Sequence, residues 1–425
     1  MINEGIRYGL LVYNKTSADT VSVSAPSFSW GYEGRIVIPS EIYSYSDKVY
    51  KVTGIKPRGF NTTLLATGLT IPGSIVEVSE SAFASCVSLK DVTIEEGVQI
   101  IRPKAFCRCK GLKKIYIPAS ITTIDEEAFD ECLSLEMITV NEDNISFRSL
   151  DGSLYKKDLT ELVLCAPAKR GCLRIPSAVR KIRPTALEWT LCLEDIKVDD
   201  DNQNFCSIDG LLYNKEVTRL IYCPQSRERD VVIADGVTTV CQGAFCFCEK
   251  IKNITIPDTL TDIETEAFRG CGQLRSIVIP SKVKAIGEGA FYSCSMLAGI
   301  TLKAKVPPLC ADYTFDSHSY KSATLYIPRG TKAEYISAPV WKNFKDIVEV
   351  DMFAKEPVIE DGTISVNLME GKVTVRGMTC EVDVSNPEGI NLYKLSIDGG
   401  SSEIHLLDNH VCKIKAGNRT ITIET

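Results

Sequence analysis

Three kinds of residue in this chain could do chemistry: its histidines, its closely spaced cysteines and its runs of carboxylates. Only three histidines occur, His318, His405 and His410. His318 stands near Cys310 and Asp316, residue types that can make a nucleophile and its base. A solvated loop histidine is the simpler reading of the irregular stretch from Tyr313 to Tyr320. Cys107-Arg108-Cys109 and Cys246-Phe247-Cys248 look like metal pairs in isolation, yet C-x-C lacks the two-residue spacing usual at zinc. Glu95-Glu96 and Asp125-Glu126 fall in turn-like stretches, where no cleft is in sight to perturb a carboxyl for acid–base work. Asn141-Glu142-Asp143-Asn144 and Asp199-Asp200-Asp201-Asn202 offer hard oxygens that would suit calcium, or solvated turns. There is no phosphate loop and no dinucleotide fingerprint. The expectation is a chain that is not an enzyme and carries no cofactor and no structural metal.

The elements that must position any site come from a repeat. Ala82-Phe83, Cys86, Leu89, Val92 and Ile94 recur as Ala105-Phe106, Cys109, Leu112, Ile115 and Ile117, then as Ala128-Phe129, Cys132, Leu135, Ile138 and Val140, in steps of 23 residues. The series resumes at Ala186-Leu187 and at Ala244-Phe245, with 23-residue steps to Ala267-Phe268 and Ala290-Phe291, and a worn copy at Gly59-Phe60 precedes them all. The steps from 128 to 186 and from 186 to 244 are each 58, one repeat plus 35 residues. Inside them Asp151-Gly152 and Asp209-Gly210 read as hairpin turns beside apolar strands, Leu162-Val163-Leu164 and Leu220-Ile221-Tyr222.

Each Leu-x-x-Ile-x-Ile segment alternates in polarity and so predicts a strand with one face buried. A proline often closes it, as at Ile117-Pro118 and Ile256-Pro257. The Ala-Phe pair starts a short helical or 3-10 turn. One winding cannot bury these groups; stacked windings can, at about 4.8 Å per strand. Cys86, Cys109, Cys132, Cys248, Cys271 and Cys294 each follow the repeat alanine by four residues and read as small buried hydrophobes on the stacking axis, not as disulfides. That accounts for much of the high cysteine count of 17.

At 425 residues the chain is too long for one ordinary core. A net charge of -7 argues against a nucleic-acid grip. No apolar run of about 18 residues or more occurs to form a membrane-spanning helix. Residues 1–50 predict an N-terminal β cap, 51–350 a solenoid with two 35-residue hairpin insertions (about 141–175 and 199–233), and 357–425 a small β-sandwich built from alternating segments such as Val373-Thr374-Val375.

The repeat resembles the BspA-like, or Treponema pallidum type, leucine-rich-repeat family of bacterial surface proteins, which shows Ile-Pro, Val-x-x-Ile, Ala-Phe, Cys and Leu at this spacing. The resemblance covers about residues 50–350. It implies a mainly β, right-handed solenoid with short helical turns. It also implies a protein exported to the cell surface or secreted, its leader absent from a sequence that begins Met1-Ile2-Asn3-Glu4. The terminal β-domain resembles those of Bacteroidetes surface proteins, where it serves as a sorting signal or a spacer. Members of the family bind host proteins or other cells.

The outward positions of the repeat strands then become the candidate ligand face: Lys90, Lys113, Lys114, Tyr116, Glu136, Glu194, Asp195, Lys197, Lys252 and Arg275. Their mixed signs suit polar recognition of a protein or cell-surface glycoconjugate by a monomeric, adhesin-like module. A scaffold within a bacterial surface complex, with no host ligand, is the competing reading. Trp189, Tyr292 and Trp341 are aromatics that would contact a ligand or fill the core.

Overall fold

The computed structural model describes residues 6–8, 11–26, 33–44 and 47–350, and between 358 and 424 the backbone strands alone. It divides into two compact units. The first holds residues 1–275, 282–298 and 308–322; the second holds 276–281, 299–307 and 323–425.

In the first unit the predicted strands stack in parallel at the repeat spacing. Ala66–Ile71 pairs with Asp91–Ile94, Lys114–Ile117 with Met137–Val140, Gly171–Ile175 with Leu193–Val198, and Val231–Val232 with Ile254–Thr255. The Val-x-x-Ile segments make a second parallel ladder of two-residue strands. Glu77–Val78, Ile100–Ile101 and Thr123–Ile124 form one run; Thr239–Val240, Asp262–Ile263, Ala285–Ile286 and Leu309–Cys310 form another. Preceding them, Leu11–Lys15, Thr20–Ser24, Glu41–Tyr43 and Val49–Ile55 join one sheet, with Tyr13, Val21, Val23 and Ile42 fully buried.

The Ala-Phe turn is a third ladder. Within a coil, successive amides donate three residues back, as from Ala105 to Arg102, Cys107 to Lys104 and Cys109 to Phe106. Between coils, alternate amides point along the stacking axis. Ser81, Phe83 and Ser85 donate to the carbonyls of Pro103, Ala105 and Cys107, and Gly243, Phe245 and Phe247 to those of Thr265, Ala267 and Arg269. That alternation requires left-handed backbone on either side of each phenylalanine: φ is 53° at Ser81 and 59° at Ser85, 58° at Lys104 and 62° at Arg108. Left-handed backbone costs a non-glycine residue about 1–2 kcal/mol; the inter-coil hydrogen bonds offset it. Of the repeat turns only Pro184–Leu187 takes the 3-10 form, and the left-handed positions are absent from that coil.

The phenylalanines stack face to face. Phe60, Phe83, Phe106 and Phe129 have ring centroids 5.1 to 5.6 Å apart, and Phe245, Phe268, Phe291 and Phe315 continue at 5.0 to 5.3 Å. Beside them runs the cysteine row. The thiols of Cys86, Cys109 and Cys132 donate to the carbonyls of Phe60, Phe83 and Phe106 of the preceding coil at 3.2, 3.3 and 3.1 Å. Cys271 and Cys294 do the same to Phe245 and Phe268. These residues are therefore donors as well as fillers. The 15 cysteines among the described residues are free thiols.

The two insertions are three-stranded meanders, one strand more than a hairpin. Phe147–Leu150, Ser153–Lys156 and Glu161–Leu164 pair antiparallel, and the last of them joins the short-strand ladder by pairing in parallel with Lys181–Ile182. Phe205–Ile208, Leu211–Asn214 and Arg219–Tyr222 repeat the arrangement against Thr239–Val240. Asp151-Gly152 and Asp209-Gly210 all have positive φ, as the tight two-residue hairpin turn needs. Gly171–Ile175 and Val231–Val232, which the sequence assigns to the insertions, are ordinary repeat strands.

In the second unit Ser276–Ile279, Gly299–Leu302, Thr324–Pro328 and Asp346–Val350 form a parallel sheet. Tyr335 donates its hydroxyl to the Ala304 carbonyl at 2.7 Å, and Trp341 is fully buried as core. The C-terminal residues form two four-stranded antiparallel sheets. One contains Gly362–Asn367 and Lys372–Arg376; the other contains Cys380–Ser385 and Val411–Ala416.

Candidate functional site

The outward side chains of the repeat strands stand where period-two alternation puts them. In Lys114–Ile117, Ile115 and Ile117 are buried while Lys114 and Tyr116 are exposed. The residue after each repeat leucine forms a column, with Lys90, Lys113 and Glu136 on successive coils. One backbone bond lies within the column, from the Glu136 amide to the Lys113 carbonyl at 2.8 Å, and the Lys90 amide donates to the Thr67 carbonyl of the coil before. Glu194, Lys197, Lys252 and Arg275 are likewise exposed. Among the described residues, none engages Lys90, Lys113, Lys114 or Tyr116 in an ion pair or a side-chain hydrogen bond.

Asp195 differs. Its carboxylate accepts from Arg229 Nη2 at 2.9 Å, and Arg227 stands 4.0 Å away. Arg227 is 1% exposed at its side chain and pairs with Asp209 in the tip of the second meander. Asp195 is thus half-buried, engaged in holding an insertion in place. Sequence spacing cannot show this, because its partners lie 32 and 34 residues downstream.

The meander tips also interrupt the candidate face. The Ile138 amide donates to the Gly152 carbonyl and the Ile196 amide to Gly210, so each tip occupies the edge where the next repeat strand would pair. A side chain at Gly210 would run into the Asp195 carboxylate. Lys169, 8% exposed, anchors the first tip as Arg227 anchors the second: its Nζ donates to both the Asp151 carbonyl and carboxylate, at 2.9 and 2.6 Å. The ten candidate residues therefore fall into segments of strand, with Lys90, Lys113, Lys114, Tyr116 and Glu136 before the first tip, and Glu194, Asp195 and Lys197 between the two.

The two acidic turns have a structural use that the sequence reading missed. Asn144 and Asn202 are fully buried. Asn144 Nδ2 donates to the carbonyls of Pro118 and Ile121, and its Oδ1 accepts from the amides of Ser146 and Phe147. Asn202 makes the same four bonds to Pro176, Val179, Asn204 and Phe205. The signal available was the shared asparagine at an offset of 58.

His318 is exposed, and Asp316 accepts from Ser319 and from the Ser293 amide. His410 and the His405 side chain lie outside the described residues. Tyr292 is 39% exposed. Trp189, half-buried, stacks on Phe247 with centroids 6.1 Å apart and lines a cleft with Asp130, Pro167 and Arg183. The described residues include no helix long and apolar enough to cross a membrane.

Comparison with known proteins agrees with this architecture. The pneumococcal vaccine antigen PcpA superposes with a TM-score of 0.52 at 18% identity, over 82% of this chain and 99% of that one. A leucine rich cell surface protein from Faecalibacterium prausnitzii A2-165 gives 0.51 at 22% identity, over 81% and 98%. No curated protein matches the sequence. The BspA type leucine rich repeat region matches in six copies over residues 38–166 and 222–347, leaving out 167–221, which hold the coil between the meanders and nearly all of the second meander. Parallel ladders at the repeat spacing, the phenylalanine and cysteine rows and these matched copies together place the chain in the BspA-type leucine-rich-repeat family.

Proposed function

We propose that this chain is a non-enzymatic, surface-exposed or secreted bacterial binding module that engages a protein or cell-surface glycoconjugate through its repeat-strand face. The observation that carries the reading is the row Lys90, Lys113, Lys114, Tyr116 and Glu136: exposed, on adjacent coils, and unengaged by the rest of the described molecule. Side chains fixed at their backbones and free at their tips make an extended polar surface that a partner can engage without ordering the backbone, though the long lysines lose rotamer freedom. The structural relative described as a cell surface protein supports the location.

The test is binding of the purified chain to extracellular-matrix and glycan arrays and to intact cells. The variant Lys113→Glu/Lys114→Glu/Tyr116→Ala should lose about tenfold or more in affinity, a shift of about 1.4 kcal/mol, at an unchanged melting temperature. Lys284→Glu, away from the row, should bind as the parent does. Equal binding by the triple variant would sink the assignment of the face. Co-purification with bacterial envelope proteins alone, with no array or cell binding, would favour the scaffold reading.

A further inference from the structure

We propose that Cys107, Asp130 and Glu131 form a zinc-binding site on the phenylalanine turns of two successive coils. The repeat register makes the site. Cys107 follows Phe106, and Asp130 and Glu131 follow Phe129 one coil later. The Arg108 amide donates to the Asp130 carbonyl at 2.8 Å, which ties the two turns together at this point. The Cys107 sulfur and one carboxylate oxygen from each acid all lie within 4.8 Å of one another.

Cys107 is unlike the cysteines of the row beside it. Those thiols donate to a carbonyl of the preceding coil. Cys107 is 8% exposed, and among the described residues its thiol has no hydrogen-bond partner. It is a buried sulfur aimed at two carboxylates. Burial, then those two carboxylates, push the thiol up to about 11, so the metal-free chain keeps the proton there. Metal binding would release it as the sulfur becomes a thiolate.

The donor set selects the ion. One thiolate with two carboxylates suits a borderline-soft divalent cation that accepts four ligands, with sulfur at about 2.3 Å, oxygen at about 2.0–2.2 Å and water in the fourth position. Calcium and magnesium would have no use for the sulfur. Three anionic ligands exceed the ion's charge by one. Arg108, whose Nε donates to Glu131 Oε1 at 2.7 Å, supplies the compensating charge and orients that carboxylate. An internal control exists. Cys246 holds the same place in its own coil, but the next coil puts Arg269 and Gly270 where Asp130 and Glu131 stand.

The experiment uses the full chain carrying Cys172→Ser, which removes an exposed thiol. Zinc chloride is titrated against a chromogenic chelator, and cobalt(II) is added in parallel. The expected result is one equivalent of zinc, and a thiolate-to-cobalt charge-transfer band with tetrahedral cobalt absorption. Cys107→Ser should weaken zinc by about tenfold or more and remove the band, Asp130→Asn should weaken zinc by about tenfold or more and move the band to higher cobalt, and Cys246→Ser should leave both unchanged. Melting without metal checks that every variant folds, and zinc should raise the melting temperature only where Cys107 and Asp130 are intact. Failure of the parent to take up zinc, uptake untouched by Cys107→Ser, or equal loss in Cys246→Ser would each overturn the site.

Discussion

The regular coils and the two meander coils build the same solenoid by different means. In the regular coils the parts run in step: ring on ring, thiol on carbonyl, and two or three axial amide bonds at the turns of Phe60, Phe83, Phe106, Phe245 and Phe268. In the meander coils the aromatic stack stops at Phe129 and restarts at Phe245. Cys165 and Cys223 stand in the phenylalanine place, and Leu187 fills the coil between. Yet the axial bond persists, from the Cys165 amide to the Ala186 carbonyl and from Cys223 to Ala244. The backbone ladder thus outlasts the rings on one side of each meander coil, and the rings are one of several ways to fill the space inside it.

The sharpest way to break this comparison is truncation. Phe268→Ala opens a hole between two stacked rings and should cost about 3–5 kcal/mol in chemical denaturation. Leu187→Ala, where no ring stack exists, should cost about 2–3 kcal/mol. If Leu187→Ala costs as much as Phe268→Ala, the aromatic row adds nothing beyond ordinary burial.

Next in size is the meander anchor. Arg227 is buried against the half-exposed Asp209, and Arg227→Ala should cost about 2–3 kcal/mol through the lost pair and the lost packing of its buried side chain, with Arg229 still bonded to Asp209. An effect below about 1 kcal/mol would mean the tip is held by its hairpin alone.

Alkaline stability probes both regions at once. Burial pushes the thiols of Cys165, in a meander coil, and Cys294, in a regular coil, up to about 12 from an ordinary 9.0. The folded value exceeds the unfolded one, so the stabilisation is whole below pH 9.0 and is lost as pH rises toward about 12. At pH 10 each thiol should account for about 1.4 kcal/mol of lost stability. Denaturation midpoints at pH 7.5 and 10 should therefore draw closer in Cys165→Ala and in Cys294→Ala alike. Convergence in only one of them would show that the two regions bury their sulfurs differently.

The smallest effect is expected at Arg229, which shares Asp195 with Arg227 but is half exposed. Arg229→Ala should shift unfolding by less than about 1 kcal/mol. A larger cost would make the exposed pair, not the buried one, the anchor of the second tip.

The ladder residues were legible because burial of Ala, Phe, Cys and Ile at one spacing leaves a compositional trace. The left-handed positions were not. Thr62, Ser85 and Arg108 carry no glycine-like signal, because the axial hydrogen bonds hold that conformation whatever the side chain. Leu162-Val163-Leu164 reads as a hairpin strand, but nothing local says that it also pairs in parallel with Lys181–Ile182. The candidate face was legible as alternation, whereas the engagement of Asp195 by Arg227 and Arg229 arises only when the chain returns to that place. Asn144 and Asn202 were read by charge class, as part of acidic turns, when their use is directional bonding.

The matched fittings of the two meanders bear on how such a molecule can change in length. Asn144 and Asn202, Gly152 and Gly210, Cys165 and Cys223, Lys169 and Arg227 correspond at one offset of 58 residues, and each pair makes equivalent joints. A block of that size is modular: duplicated or excised whole, it presents the same ends to its neighbours. A chain with one such block more or fewer would meet the same joints at its terminal coils.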